Sequence, residues 1–388
     1  MVVSSPAALI NRGPNSLNSE LDEKTQRITT MLSREKLDAV LLNSQHNFAW
    51  LTGGGCNGVD LSRDNGVASL LVTCEGKRFV LANVIEIDRM LGEETSVTDF
   101  EPIDYSWQDE KTGSGFVLEQ ARSVLKRTAA IASDLPMATG VPVVENRIAE
   151  CRYALTENEI ERFRSIGRDA GTALRTVIDK LELGETELQI AEKVRHELGQ
   201  RNIASVVTLV AADERISRFR HPVPTANRWQ KTLLIVTCAK RDGLIASLSR
   251  MVCVDEVPNE LKIRTDAAAY VYAKMLDATR PGVTGADVYR TAARAYSECG
   301  FADEIDRHHQ GGAAGYRTRD WVAHPASGDI VSANQAFAWN PSITGTKVEE
   351  TCIVTESGIE IITASPDFPQ ILNVVNGHEY LSPGILTI

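Results

Sequence analysis

Three threonines, each followed three residues later by a carboxylate or amide side chain, open long stretches of helical periodicity in the second half of the chain. Thr156-Glu157-Asn158-Glu159 begins a pattern that runs through Leu181. Thr186 to Gln189 begins one that ends near Gly199, and Thr284 to Asp287 begins one that stops at Gly300. The threonine hydroxyl accepts from the backbone N–H three residues on, while the longer side chain reaches back to the threonine's own N–H, and this defines the first turn. Between and after these helices lie β-type runs: Ser205 to Ala211, Thr232 to Ala239, Leu244 to Val254, Ala336 to Trp339 and Thr351 to Thr355. Long helices interleaved with antiparallel-looking strands predict an α+β domain over residues 149–388.

The first half reads differently. Residues 1–18 are expected to form a flexible arm, and residues 19–148 a smaller α/β domain. Leu21 to Leu37 has the pattern of an amphipathic helix, and Ala39-Val40-Leu41-Leu42 that of a buried strand. Val67 to Thr73 and Arg78 to Ala82 read as a hairpin turned by Cys74-Glu75-Gly76-Lys77. The character of the chain changes at Val141 to Tyr153, which gives two domains.

A net charge of −11 argues against nucleic acid as a partner, because phosphate binding needs concentrated Lys and Arg. The seven cysteines are scattered without a CxxC pair, as expected of reduced thiols. No apolar run reaches membrane-spanning length, and the first residues lack the apolar centre of a secretory signal. A cytoplasmic protein with no membrane partner is the expectation.

Three stretches carry groups suited to chemistry. In His308-His309-Gln310-Gly311-Gly312 the glycines allow close backbone approach, and strand alternation would let at most one imidazole face a site. In Arg218-Phe219-Arg220-His221-Pro222-Val223-Pro224 two prolines stiffen a loop behind a histidine, a suitable mount for a general base. In Thr346-Lys347-Val348-Glu349-Glu350-Thr351 the two glutamates alternate across a strand, so one is expected to face inward. Each stretch taken alone is equally compatible with a structural role.

Taken in order, these pieces resemble the creatinase/aminopeptidase P/prolidase family, also called the M24 peptidases. Leu155-Thr156-Glu157-Asn158-Glu159-Ile160 resembles the entry to the family's first long helix, with Leu155 in place of Lys. His309-Gln310-Gly311-Gly312 is similar to a Gly-His-x-x-Gly ligand motif, with His308 replacing the leading Gly. Thr346 to Thr351 is similar to the strand bearing the last glutamate ligand, and His221 sits where the family has a substrate-side histidine. His46-Asn47-Phe48-Ala49-Trp50-Leu51-Thr52-Gly53 resembles a motif of the accessory domain. The resemblance spans residues 20–365 and implies a pita-bread catalytic domain preceded by a creatinase-type α/β domain.

It also exposes departures. The family's metalloenzymes hold two ions with two Asp, one His and two Glu. Aligning Gly243 and Arg250 puts Val236 and Ser247 at the aspartate positions, and the first Glu falls at Asn340 before Pro341. A shifted register would recover Asp242 but lose that match. Only His309 and Glu349 remain, too few anionic oxygens for paired divalent ions.

No metal and no other cofactor are therefore expected. Creatinase, in the same family, hydrolyses a C–N bond without metal. By that resemblance the chain is expected to be a metal-independent hydrolase of an amidine, cyclic amidine or amide in a small carboxylate-bearing substrate. His221, His309 and Glu349 would be catalytic, and Asn340, Ser247, His308, Arg317 and Arg319 would bind substrate. Arg63 or Trp50 would reach a neighbour's site across a homodimer. Two alternatives stay open: a metal-dependent Xaa-Pro aminopeptidase or prolidase, and a non-catalytic peptide- or protein-binding module of the same fold.

Overall fold

The computed structural model describes residues 14–113, 115–137 and 140–388, with side chains from residue 20 onward. Residues 1–13 of the expected N-terminal arm lie outside the described residues. Residues 14–18 do not extend as an arm: helix α1 spans Pro14–Glu35 and starts before the expected Leu21. A proline is tolerated there because the first helical N–H has no intrahelical partner to lose.

The chain forms two compact units divided between Arg152 and Tyr153. The first carries strands β1 (Ala39–Ser44), β2 (Asn65–Thr73), β3 (Arg78–Asn83), β4 (Glu101–Tyr105) and β5 (Ile131–Ser133). They form one mixed sheet in the order β4-β3-β2-β1-β5. The expected β2–β3 hairpin is present, turned at Gly76, whose φ of +82° is open to glycine at little cost. Helix α2 (Gln45–Leu51) follows β1, its N-terminus capped by Ser44.

In the second unit the capping boxes at Thr156, Thr186 and Thr284 all form. They start α3 (Glu157–Asp179), α4 (Glu187–Gly199) and, after α5 (Asn259–Ala278), α6 (Gly285–Glu298). One sheet, ordered β18-β8-β7-β6, contains β6 (Ala204–Ala212), β7 (Thr232–Arg241), β8 (Leu244–Cys253) and β18 (Ile385–Thr387). The other, ordered β10-β9-β11-β14-β15, contains β9 (Gly311–Ala314), β10 (Trp321–Val322), β11 (Ala336–Trp339), β14 (Glu350–Thr355) and β15 (Gly358–Ile361). Two short strands, β12 (Ser342–Ile343) and β13 (Thr346–Lys347), lie between β11 and β14. A hairpin, β16 (Gln370–Val375) and β17 (His378–Pro383), precedes β18.

A large apolar core lies between α5, α6 and the second sheet, around Tyr272, Met275, Tyr296, Phe337 and Trp339. The sheets meet where Ser249 N–H donates to Glu349 O at 3.1 Å and Thr351 Oγ1 bridges the backbone of Ser247.

Gly312 belongs to a close backbone approach. A Cβ there would lie 1.9 Å from Trp321 O. Gly312→Ala is therefore expected to cost about 1–3 kcal/mol through strand displacement, read from urea unfolding midpoints.

Among the described residues no helix is long and apolar enough to cross a membrane. The seven cysteines are all free thiols.

Candidate active site

The β7–β8 hairpin turns on Asp242 and Gly243, both at positive φ, the signature of a two-residue type I′ turn. Such a tight turn sets the register, and Ser247 lies opposite Cys238, whose thiol accepts from Ser247 Oγ at 3.3 Å. Val236, which the resemblance puts at the first aspartate position, does not face Ser247 across the hairpin. Val236 instead pairs with Ser249 and packs in an apolar cluster with Leu234 and Met251. Asp242 forms the turn itself and recovers no ligand position.

His308 and His309 were expected on opposite faces, and the structure corrects this. Strand β9 begins only at Gly311, so strand alternation does not reach the pair, and their rings lie side by side with centroids 4.5 Å apart. His221 completes the group, its Nε2 3.2 Å from His308 Nε2. His308 is buried, while His221 and His309 are exposed. Ser342 Oγ lies 3.3 Å from His308 Nδ1 and accepts from Arg220 at 3.2 Å. Arg220 in turn pairs with Glu304. Tyr296 Oη donates to Gln310 Oε1 at 2.8 Å, and Gln310 Nε2 donates to His308 O at 2.5 Å.

Both glutamates are buried, which revises the expectation that one would face out. Glu350 turns to Arg250 (2.9 Å) and Thr363 (2.6 Å). Glu349 meets Arg319 Nη2 at 3.1 Å, and Lys347 Nζ lies 2.8 Å from its other oxygen, an ion pair without hydrogen-bond alignment. Arg319 Nη1 also donates to Ser247 Oγ at 3.3 Å. Asn340 is anchored through its N–H to Gln310 O, and its buried Oδ1 has no hydrogen-bond partner among the described residues.

Arg317 is exposed, two residues before the site-facing Arg319. Trp50 does not fit its expected role: its ring is fully buried in the first unit, so it offers no face to a neighbouring subunit. Arg63 is exposed and pairs with Asp60 at 3.0 Å. Cys238, Lys347 and Ser342 were not expected in the site. For Lys347 a signal existed, since it stands two residues before Glu349 on the same side of an extended segment.

Burial, then the positive charge of Lys347, pulls the His308 imidazole down to about 2. Burial and Arg319 bring His309 to about 4, and burial and Lys347 lower His221. Burial alone would raise the Glu349 carboxyl, but Lys347 and Arg319 outweigh it and hold the group below its ordinary range. At neutral pH the site holds three uncharged imidazoles beside two cations and one carboxylate.

The unfolded chain takes up a proton at His308 near pH 6.5, and the folded chain does not. Stability is therefore expected to fall as pH drops below about 6.5, with His308 contributing at most about 1.4 kcal/mol per pH unit. Comparing denaturant midpoints at pH 7 and 5 for wild type and His308→Gln isolates this term; equal slopes would refute it.

A pair of divalent ions needs several anionic oxygens. The residues that the resemblance aligns with the ligand positions are Val236, Ser247, His309, Asn340 and Glu349, and the one carboxylate already binds two cations. This donor set does not fit the family's two-ion centre.

Residues 161–356 match Metallopeptidase family M24, and residues 24–166 match the Creatinase/Prolidase N-terminal domain. The Xaa-Pro dipeptidase of Pyrococcus horikoshii is 19% identical over 355 residues, covering 88% of this chain and 97% of that protein. The crystal structure of the prolidase from Pyrococcus horikoshii OT3 superposes with a TM-score of 0.73 at 18% identity, covering 88% of this chain and 98% of that one. The N-terminal domain of the FACT complex subunit SPT16 from chickpea, Cicer arietinum, does so at 0.67 with 11% identity, covering 89% and 96%. At such identities the structural likeness establishes the fold alone. With half of its length matched to the family and a creatinase-type domain in front, the chain belongs to metallopeptidase family M24, a family of hydrolases built on the pita-bread fold.

Proposed function

We propose that this chain hydrolyses a C–N bond in a small amide or amidine bearing a carboxylate, with a histidine in place of paired metal ions activating the water. The observation that carries this reading is the engagement of Glu349 by Lys347 and Arg319, which leaves the one carboxylate at the ligand positions occupied by cations. His221, uncharged and exposed, accepts a proton from water as the oxygen attacks the substrate carbon. His221 then gives that proton to the departing nitrogen, and His308 Nε2, 3.2 Å away, holds the His221 ring in place. Lys347 and Arg319 bring one positive charge more than Glu349 cancels, which suits a substrate carboxylate or a developing oxyanion. The open Oδ1 of Asn340 is an acceptor for a substrate N–H.

A second reading is favoured by sequence similarity: metal-dependent cleavage of Xaa-Pro dipeptides, the activity named for the Pyrococcus horikoshii relative. A dipeptide is itself a small carboxylate-bearing amide, so the two readings share a substrate class and differ in what activates water. The test assays chelator-treated full-length protein against Xaa-Pro dipeptides, N-acyl amino acids and cyclic and acyclic amidines, with and without Mn²⁺ or Co²⁺. Turnover in chelator supports the histidine mechanism. Turnover only with two bound ions per chain overturns it in favour of the dipeptidase reading.

A further inference from the structure

The geometry of His221, His308 and His309 points to a binding site for one divalent transition-metal ion of the zinc or cobalt class. It shares only His309 with the donor positions of the two-ion centre. In a tetrahedral site with metal–nitrogen distances near 2.05 Å, neighbouring ligand nitrogens lie about 3.3 Å apart and imidazole centres about 5.2 Å apart. The ring centroids here are separated by 5.0, 5.8 and 4.5 Å. The His221 and His308 Nε2 atoms are 3.2 Å apart, and one ligand nitrogen from each of the three rings lies within 4.8 Å of the others.

A simple N–H···N hydrogen bond accounts for the His221–His308 contact and chain adjacency for the His308–His309 contact, but neither requires His309 to turn its ring to within 5.8 Å of His221. The surroundings favour ligation as well. His308 Nδ1 faces Ser342 Oγ, which leaves Nε2 pointing at His221; an outer partner of this kind orients metal-binding imidazoles. Pro222 stiffens the loop behind His221. Each of the three rings offers one ligand nitrogen to the common centre. The opposing influence is the unbalanced positive charge of Lys347 and Arg319 against Glu349, which weakens the site relative to the same donors in neutral surroundings.

The inference rests on ring geometry and not on the hydrolytic reading. A bound ion would take the lone pair on His221 that water activation requires, so zinc is expected to inhibit a histidine-based reaction.

The test titrates chelator-treated full-length protein with Co²⁺ alone, followed by its visible absorption, and then with Zn²⁺ as competitor. One ion per chain with the intense spectrum of tetrahedral cobalt is expected. His308→Gln should weaken binding by at least about tenfold, and Ser342→Ala, which leaves all three ligands in place, by about tenfold. Circular dichroism checks that each variant is folded. No uptake by folded wild-type protein overturns the inference. So does uptake of two ions that Glu349→Gln abolishes and His308→Gln does not. Hydrolysis measured in the same samples judges the other reading separately: activity that appears only with one bound zinc supports this site and refutes metal-free water activation.

Discussion

His221→Ala is expected to slow turnover by about 10²–10⁴-fold, the usual contribution of a positioned general base. The loss should fall on kcat, because the role proposed for His221 is on the attacking water, and Arg319 and Lys347, proposed to bind the carboxylate, are untouched. Steady-state kinetics in chelator on the best substrate of the panel would measure it. A change confined to KM would reassign His221 to substrate binding, and unchanged turnover would end the mechanism. The rate should also follow an ionisation below 6.5, since burial and Lys347 both lower the His221 pKa. Activity would then rise with pH through that ionisation and level off above it.

Arg250→Ala is expected to destabilise the protein by about 3–5 kcal/mol, the cost of leaving a buried charge without its partner. Arg250 and Glu350 are both fully buried and 2.9 Å apart. The guanidinium also donates to Ser365 Oγ, Ser249 O and Thr363 O, so truncation strands several acceptors. Burial, acting first, raises the Glu350 carboxyl despite Arg250, so the orphaned acid would take up a proton and limit the loss. The double substitution Arg250→Met with Glu350→Leu should recover much of the difference, because two apolar side chains leave no uncompensated charge. Urea unfolding of the single and double variants measures both effects. A loss below about 1 kcal/mol for Arg250→Ala would mean that water reaches the pair.

Much of the architecture was legible in the chain. The capping boxes at Thr156, Thr186 and Thr284 require only neighbours three residues away, so they can be read without knowing the fold. The β2–β3 hairpin is equally local. The order of motifs pointed to the family, which the matches over residues 24–166 and 161–356 establish.

The site was less legible. Counting along the family motif does not say which side chain faces Ser247 across the hairpin; the length of the Asp242-Gly243 turn decides that register and puts Cys238 there. Strand alternation separated His308 from His309, yet β9 starts two residues too late for it to apply. Lys347 stands two residues from Glu349 and was within reach of a local reading, whereas Arg319, 30 residues away, meets it only through tertiary packing.

By itself the sequence determined the positions of the helices, the family and the scarcity of carboxylates at the ligand positions, because each depends on residue type and short spacing. Tertiary structure alone decided which side chains gather around those positions. A buried carboxylate must find a counter-charge, and that Arg319 joins Lys347 at Glu349 is set by packing between segments 30 residues apart, which is not written locally in the chain.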